Sequence, residues 1–177
     1  MAVPGSTRKG GTGSPEFLAV NPTGNVPFLE DGDVHISEGP AILAHLCQQN
    51  GWSDLYPFSE AGPLKAKVDE YCHWHHSNTR LLAPAYFAPL ARPDMVLEAA
   101  QLESLRLKGT RALELLESAW LAHAPFIGGS DRLTIADLIA YEVTRKQHSF
   151  FSQLHSEANT SSPADLRVTI TQRPFLT

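Results

Sequence analysis

The sequence predicts an α+β protein, a small unit with a β-hairpin and a helix followed by a domain of helices alone. Three observations carry this expectation. Residues 26–36 pair two short apolar runs across an Asp-Gly-Asp turn. Residues 63–82, 94–122 and 134–143 repeat apolar side chains at helical spacing. The sheet-forming pattern comes first and is not resumed, so strands and helices are segregated along the chain.

Residues 1–15 are mostly Gly, Ser, Thr, Pro and basic residues, and read as a flexible or vector-derived leader. Asn21-Pro22-Thr23-Gly24-Asn25 is a turn cluster. Val26 to Glu30 and Val34 to Ile36 are the hairpin arms, joined through Asp31-Gly32-Asp33. Pro27 at the start of an arm implies an edge position, a bulge or a cis bond. Ser37-Glu38 opens a helix, with Ile42, Leu43 and Leu46 on its apolar face and Asn50-Gly51 at its end. Residues 52–62, with prolines and aromatics, mark the domain boundary. Leu64, Val68, Tyr71, His75 and Leu82 trace the stripe of the next helix. Pro84, Pro89 and Pro93 should bend or break the stretch after it. Val96, Leu97, Leu102, Leu105, Leu113, Leu116 and Trp120 define the strongest helix, with Gly109 weakening its middle. Phe126-Ile127-Gly128-Gly129 is a turn. Thr134-Ile135-Ala136-Asp137 has the form of a capping box that Leu133 can staple, and opens a last helix through Val143. Beyond about residue 144 the pattern decays, leaving Val168-Thr169-Ile170 as an isolated strand-like scrap.

Composition narrows the classes. The 177 residues are 42% hydrophobic and 19% charged, which suits a globular chain with a real core. The net charge of −5 gives no electrostatic reason to expect nucleic acid or an anionic membrane as partner. No apolar run is long enough to span a bilayer, and Met1 to Gly13 has no secretory core. Cys47 and Cys72 lie in apolar helical patterns and read as buried free thiols in a reducing compartment. A cytoplasmic location is the expectation.

One block carries binding chemistry. It runs from Asn21 to Leu43 and reads NPTGNVPFLEDGDVHISEGPAIL. A cis Pro27 would turn the Val26 N–H and C=O away from the sheet, free to pair with an extended peptide. Glu38, just before the helix that starts near Gly39, could accept from a ligand ammonium. The helix N-terminus could hold a carboxylate. A plain hairpin leading to a helix capped by Ser37 or Glu38 would need the same spacing.

This block resembles the glutathione-binding half of the glutathione transferase thioredoxin-like domain, with its N-P-x-G-x-V-P turn and E-S-x-A-I helix start. The resemblance covers more than twenty positions in register. It implies that Asn25, Val26 and Pro27 face the cysteinyl backbone of glutathione, and that Glu38 and Gly39 face its γ-glutamyl group. Gly39 stands where the family usually has Ser, which removes a hydroxyl but leaves the backbone N–H. Glutathione would be a co-substrate, and no bound cofactor or metal is implied.

A second block, Val68-Asp69-Glu70-Tyr71-Cys72-His73-Trp74-His75-His76 with Arg80, invites a zinc reading. His73, His75 and His76 do not make an i, i+4 pair, and Cys72 with His76 lacks further ligands, so no metal site is assigned. The run is similar to the first helix of the C-terminal domain in theta-like transferases, which implies that Arg80 assists at the glutathione sulfur.

The resemblance therefore implies a partial thioredoxin-like unit over residues 16–51, an all-helical transferase domain over 63–143, and a divergent tail over 144–177. It implies conjugation of glutathione to small electrophiles, with the acceptor near Tyr86 and Phe87, in a homodimer. The family's activating hydroxyl or thiol sits in a preceding strand that has no counterpart here. An N-terminally truncated form is thus expected, with the catalytic residue unassigned. Two further readings stay open: a non-catalytic interaction module like that of elongation factor gamma subunits, and an inactive truncated product.

Overall fold

The computed structural model describes residues 11–58, 62–87 and 96–145. The strand-like scrap at 168–170 and most of the tail expected over 144–177 lie outside them, as do residues 1–10 of the leader.

The structure departs from the expected leader at residues 11–15. Thr12 is buried, and Ser14 caps a short helix, α1 (Pro15–Val20), by accepting a hydrogen bond at Oγ from the Phe17 N–H at 3.2 Å. Ser as N-cap, Pro at the first helical position and Glu in the first turn together form a start signal. The Phe17 ring meets Phe28 edge-on at 5.7 Å, so α1 covers the strand after it.

Strands β1 (Phe28–Asp31) and β2 (Val34–Ser37) pair antiparallel, with Phe28 opposite Ser37 and Asp31 opposite Val34. Gly32, at φ 58°, occupies the first of the two turn positions, where a left-handed residue matches the twist of the strands. Helix α2 (Gly39–Asn50) comes next and ends at Gly51. Cys47 on α2 is buried, and Leu43 and Ala44 pack beside it.

Helix α3 (Pro63–Ser77) presents Val68, Tyr71 and His75 inward, and Leu64 packs at the edge of the same cluster. It stops before Leu82, at Asn78, and is followed by a 3-10 turn (Thr79–Leu81) and a π-helical turn (Ala83–Phe87) that holds Pro84; Pro89 and Pro93 lie outside the described residues. Helix α4 (Ala99–Leu115) runs into a second π-helical turn (Leu116–Trp120).

The expected stripe lies on the inner side of α4 and its continuation. Leu116 is buried, Leu102, Leu105, Leu113 and Trp120 are half-buried, and Gly109 and Ala112 complete the face, whereas Val96, which precedes the helix, is 87% exposed. Gly109 does not simply weaken the helix. A Cβ there would lie 2.8 Å from Leu82 Cδ2, so its missing side chain lets the 79–87 turns approach α4 closely.

The final described helix, α5, covers residues 135–145. The capping box at its start is one-sided. Asp137 Oδ2 accepts from the Thr134 N–H and hydroxyl, both at 2.9 Å, while Oδ1 accepts from the Ile127 N–H at 2.8 Å. Thr134 therefore donates to Asp137 instead of capping its N–H. Leu133 is 40% exposed and is a poor staple.

The core joins the two expected units. Cys47 of α2 shares one cluster with Tyr56, Val68, Tyr71, Leu116, Ile127 and Ile135. The boundary segment also packs: the Ile135 N–H donates to the Leu55 carbonyl at 2.9 Å. Tyr71 and Trp74 both lie against Trp120, with centroids 5.2 and 5.4 Å apart.

Candidate functional site

Asn21 anchors the loop that carries the site. It is 1% exposed, and its Nδ2 donates to the Asn25 carbonyl at 2.7 Å. Its Oδ1 accepts from Thr23 Oγ1 at 2.7 Å and from Ser37 Oγ at 3.2 Å. One buried amide thus ties the turn to the end of β2. Gly24, at φ 63°, brings the turn against Thr12, whose carbonyl oxygen would be 3.0 Å from an added Cβ. The Asn25 N–H donates to Thr23 Oγ1 at 3.3 Å. Sequence reasoning points to Asn25 but misses Asn21, the more buried of the two.

The Val26–Pro27 peptide is cis, and Val26 is half exposed just outside the hairpin ladder. Position 39 neighbours Pro27, since a Cβ on Gly39 would lie 3.8 Å from Pro27 Cγ. Val26, Pro27, Glu38 and Gly39 therefore share one edge of the small unit.

Glu38 occupies the N-cap position of α2 at φ 74° and ψ 119°. A left-handed backbone is uncommon for a residue with a side chain and costs on the order of 1–3 kcal/mol. Its side chain makes no cap bond. Ser37 does not cap either, because its hydroxyl donates to Asn21. The capped start considered from sequence is thus absent. Pro40 has no N–H, so Gly39 and Ala41 supply the outward N–H groups of the first turn.

The late part of α3 approaches this edge through His76, whose Nδ1 lies 3.9 Å from Glu38 Oε2. Arg80 is exposed on the 3-10 turn, and its described influence falls on His75. Burial, with the neighbouring His76 and Arg80 charges, pushes the His75 pKa from 6.5 down to about 4. His75 is 4% exposed, and its Nδ1 pairs with Thr79 Oγ1 at 2.8 Å. It is a core histidine.

Neither thiol suits nucleophilic chemistry. Cys47 and Cys72 are buried and free, and burial raises both pKa values, that of Cys72 to about 12. Among the described residues no group of three or more His, Cys, Asp or Glu is placed to hold a metal ion. Phe87 is 43% exposed, and Arg106 lies 5.9 Å from the Tyr86 ring centre.

The hairpin packs on α2, and α2 shares one core with the helical region, an α+β architecture; comparison with known proteins gives the family. Residues 3–48 match the glutathione S-transferase N-terminal domain. Glutathione S-transferase T1 of Arabidopsis thaliana is 35% identical over 136 residues, covering 71% of this chain and 53% of the relative. Human glutathione S-transferase theta-2 is 34% identical over 140 residues, covering 76% and 55%. The chain thus spans little more than half the length of these relatives. A solved human theta-class enzyme in complex with the glutathione conjugate of 1-menaphthyl sulfate superposes with a TM-score of 0.67 at 30% identity, over 78% of this chain and 57% of that one. The chain belongs to the glutathione S-transferase family and is theta-like. Its fold is the thioredoxin-like plus helical arrangement of that family. No helix among the described residues is long and apolar enough to cross a membrane.

Proposed function

We propose that this chain binds glutathione along the Asn25–Pro27 and Glu38–Gly39 edge and serves its conjugation to small electrophiles. The observation that carries the reading is the conformation of Glu38. A charged residue held at φ 74° with its carboxylate unused as a cap is a backbone outlier kept for something other than helix initiation.

The chemistry fits the two ends of the ligand. The Glu38 carboxylate can accept from the α-ammonium of a γ-glutamyl group. The Gly39 and Ala41 N–H groups, at the positive end of α2, can donate to its α-carboxylate. The Val26 backbone, outside the ladder, can pair with the cysteinyl residue as an added strand does. In the reaction a glutathione thiolate attacks the electrophilic carbon. A sulfur–carbon bond forms, the leaving group departs with the bonding pair, and the thiol proton passes to solvent. A donor hydrogen-bonded to the sulfur would lower its pKa. Arg80 is the candidate cation for the sulfur or the departing anion. The human theta-class complex with a glutathione conjugate supports the ligand class. A dimeric, cytoplasmic enzyme is the reading we adopt from the family.

Calorimetry of glutathione against the purified 177-residue chain tests this. Binding that weakens about tenfold or more in Glu38→Ala is expected, as for loss of a charge-assisted hydrogen bond. Unchanged binding in Glu38→Ala, or none by a cooperatively folded chain, would favour an interaction module instead.

A further inference from the structure

Among the described residues, the Glu38 carboxylate has one basic side chain within ion-pair distance. His76 comes from the last turn of α3, yet its Nδ1 lies 3.9 Å from Glu38 Oε2. Its neighbours on the chain do other things. His75 turns into the core and is bound to Thr79. Arg80 lies a turn further on, past the break at Asn78. Consecutive helical residues differ by about 100° in direction, so among these only His76 shares a face with Glu38.

The pair contributes little to stability. Both side chains are substantially exposed, His76 by 37% and Glu38 by 63%, and exposed pairs of this kind are weak. Its use is directional. With no cap bond of its own, the Glu38 carboxylate has several staggered orientations to choose from. At 3.9 Å the imidazole lies just outside hydrogen-bond reach, so a small rotation of either exposed side chain brings Nδ1 into donation and favours one of them.

We propose that His76 is a positioning residue. It biases the Glu38 carboxylate toward the open side of the α2 N-terminus, and so sets selectivity for ligands carrying a free α-amino group. This rests on the reading that Glu38 receives the γ-glutamyl end of glutathione. The nitrogen involved is Nδ1, the one nearer the backbone. Asn carries its amide nitrogen at about the same reach, and Ala carries none.

The test compares glutathione with deaminoglutathione, which lacks only the amine, on the full chain and on Glu38→Ala, His76→Ala and His76→Asn. The wild type should prefer glutathione. In His76→Ala that preference should fall roughly three- to tenfold, through weaker glutathione binding with the deamino ligand unchanged, and His76→Asn should restore it. If His76→Ala keeps the wild-type preference while Glu38→Ala loses it, Glu38 acts alone and the proposal fails, with the binding reading intact. Equal weakening of both ligands that Asn does not restore would mark a merely structural role and also overturn it. If the wild type and Glu38→Ala treat the two ligands alike, the assignment of Glu38 itself is wrong and the positioning role falls with it.

Discussion

The loop-and-hairpin region and the helical region are held together by different forces. Between residues 11 and 50 the buried side chains are Thr12, Asn21 and Cys47, and the connections at the site are hydrogen bonds through Asn21. The helical region instead buries Val68, Tyr71, Leu82, Ile127 and Ile135 almost completely. Apolar burial, at about 25 cal/mol per Å², dominates there. Polar cross-links fix geometry with a smaller net gain each. The molecule thus places its ligand groups on a precise but lightly buried edge, backed by a core whose apolar weight lies elsewhere. Substitutions should separate accordingly: those in the core unfold the chain, and those on the edge retune binding.

The largest effect should come from the core. Tyr71 is fully buried, rests edge-on against Trp120 and sits beside Trp74 and His75. Tyr71→Ala removes this centre and should cost about 3–5 kcal/mol. Denaturant unfolding should show a lower midpoint with an unchanged slope. A loss under about 1 kcal/mol, the size of an ordinary substitution, would mean that the aromatic cluster is not the seat of stability.

A second contrast is in acid. His75 holds its proton less tightly folded, with a pKa of about 4, than at its ordinary 6.5. Above 6.5 it is neutral in both states and costs nothing. Between 6.5 and 4 the unfolded chain binds a proton that the folded chain refuses, so stability falls as pH drops. The loss approaches roughly 3 kcal/mol near pH 4, at about 1.4 kcal/mol per pH unit. His75→Asn, at a site that still offers Thr79 as partner, should flatten this part of the stability–pH curve. An equally steep curve in the variant would assign the acid sensitivity to other groups.

The same division explains what the sequence could disclose. The hairpin, the turn at Gly32 and the inward stripe of Val68, Tyr71 and His75 arise from local periodicity and turn chemistry, and were legible. Helix α1 was missed: its Ser14-Pro15-Glu16 start signal lies within a run of Gly and Ser that reads as a leader. The inner face of α4 was legible as the Leu102, Leu105, Leu113 and Leu116 stripe, but the part of Gly109 was not, because it depends on how closely the 79–87 turns approach the helix. At the site, residue types at 25–27 and 38–39 are readable as a block. The φ of Glu38, the burial of Asn21 and the approach of His76 depend on contacts between distant segments, which spacing does not encode.

The smallest predicted change sharpens the comparison most, because it should strengthen binding without touching the core. Gly39 stands where the family usually has Ser, and its φ is not left-handed. An added Cβ would meet Pro27 Cγ at 3.8 Å, an ordinary contact. Gly39→Ser therefore fits without displacement. It also replaces the residue with the greatest backbone freedom at the first position of α2, which favours the folded state by up to about 1 kcal/mol. The new hydroxyl lies beside the N–H groups proposed to hold the α-carboxylate and adds one donor to a charged acceptor, worth about 1.5–3 kcal/mol when well aligned. Glutathione affinity should rise roughly tenfold in calorimetry, with the melting midpoint unchanged or slightly higher. A folded Gly39→Ser with unaltered affinity would place the carboxylate elsewhere and move the γ-glutamyl end of the site away from the start of α2.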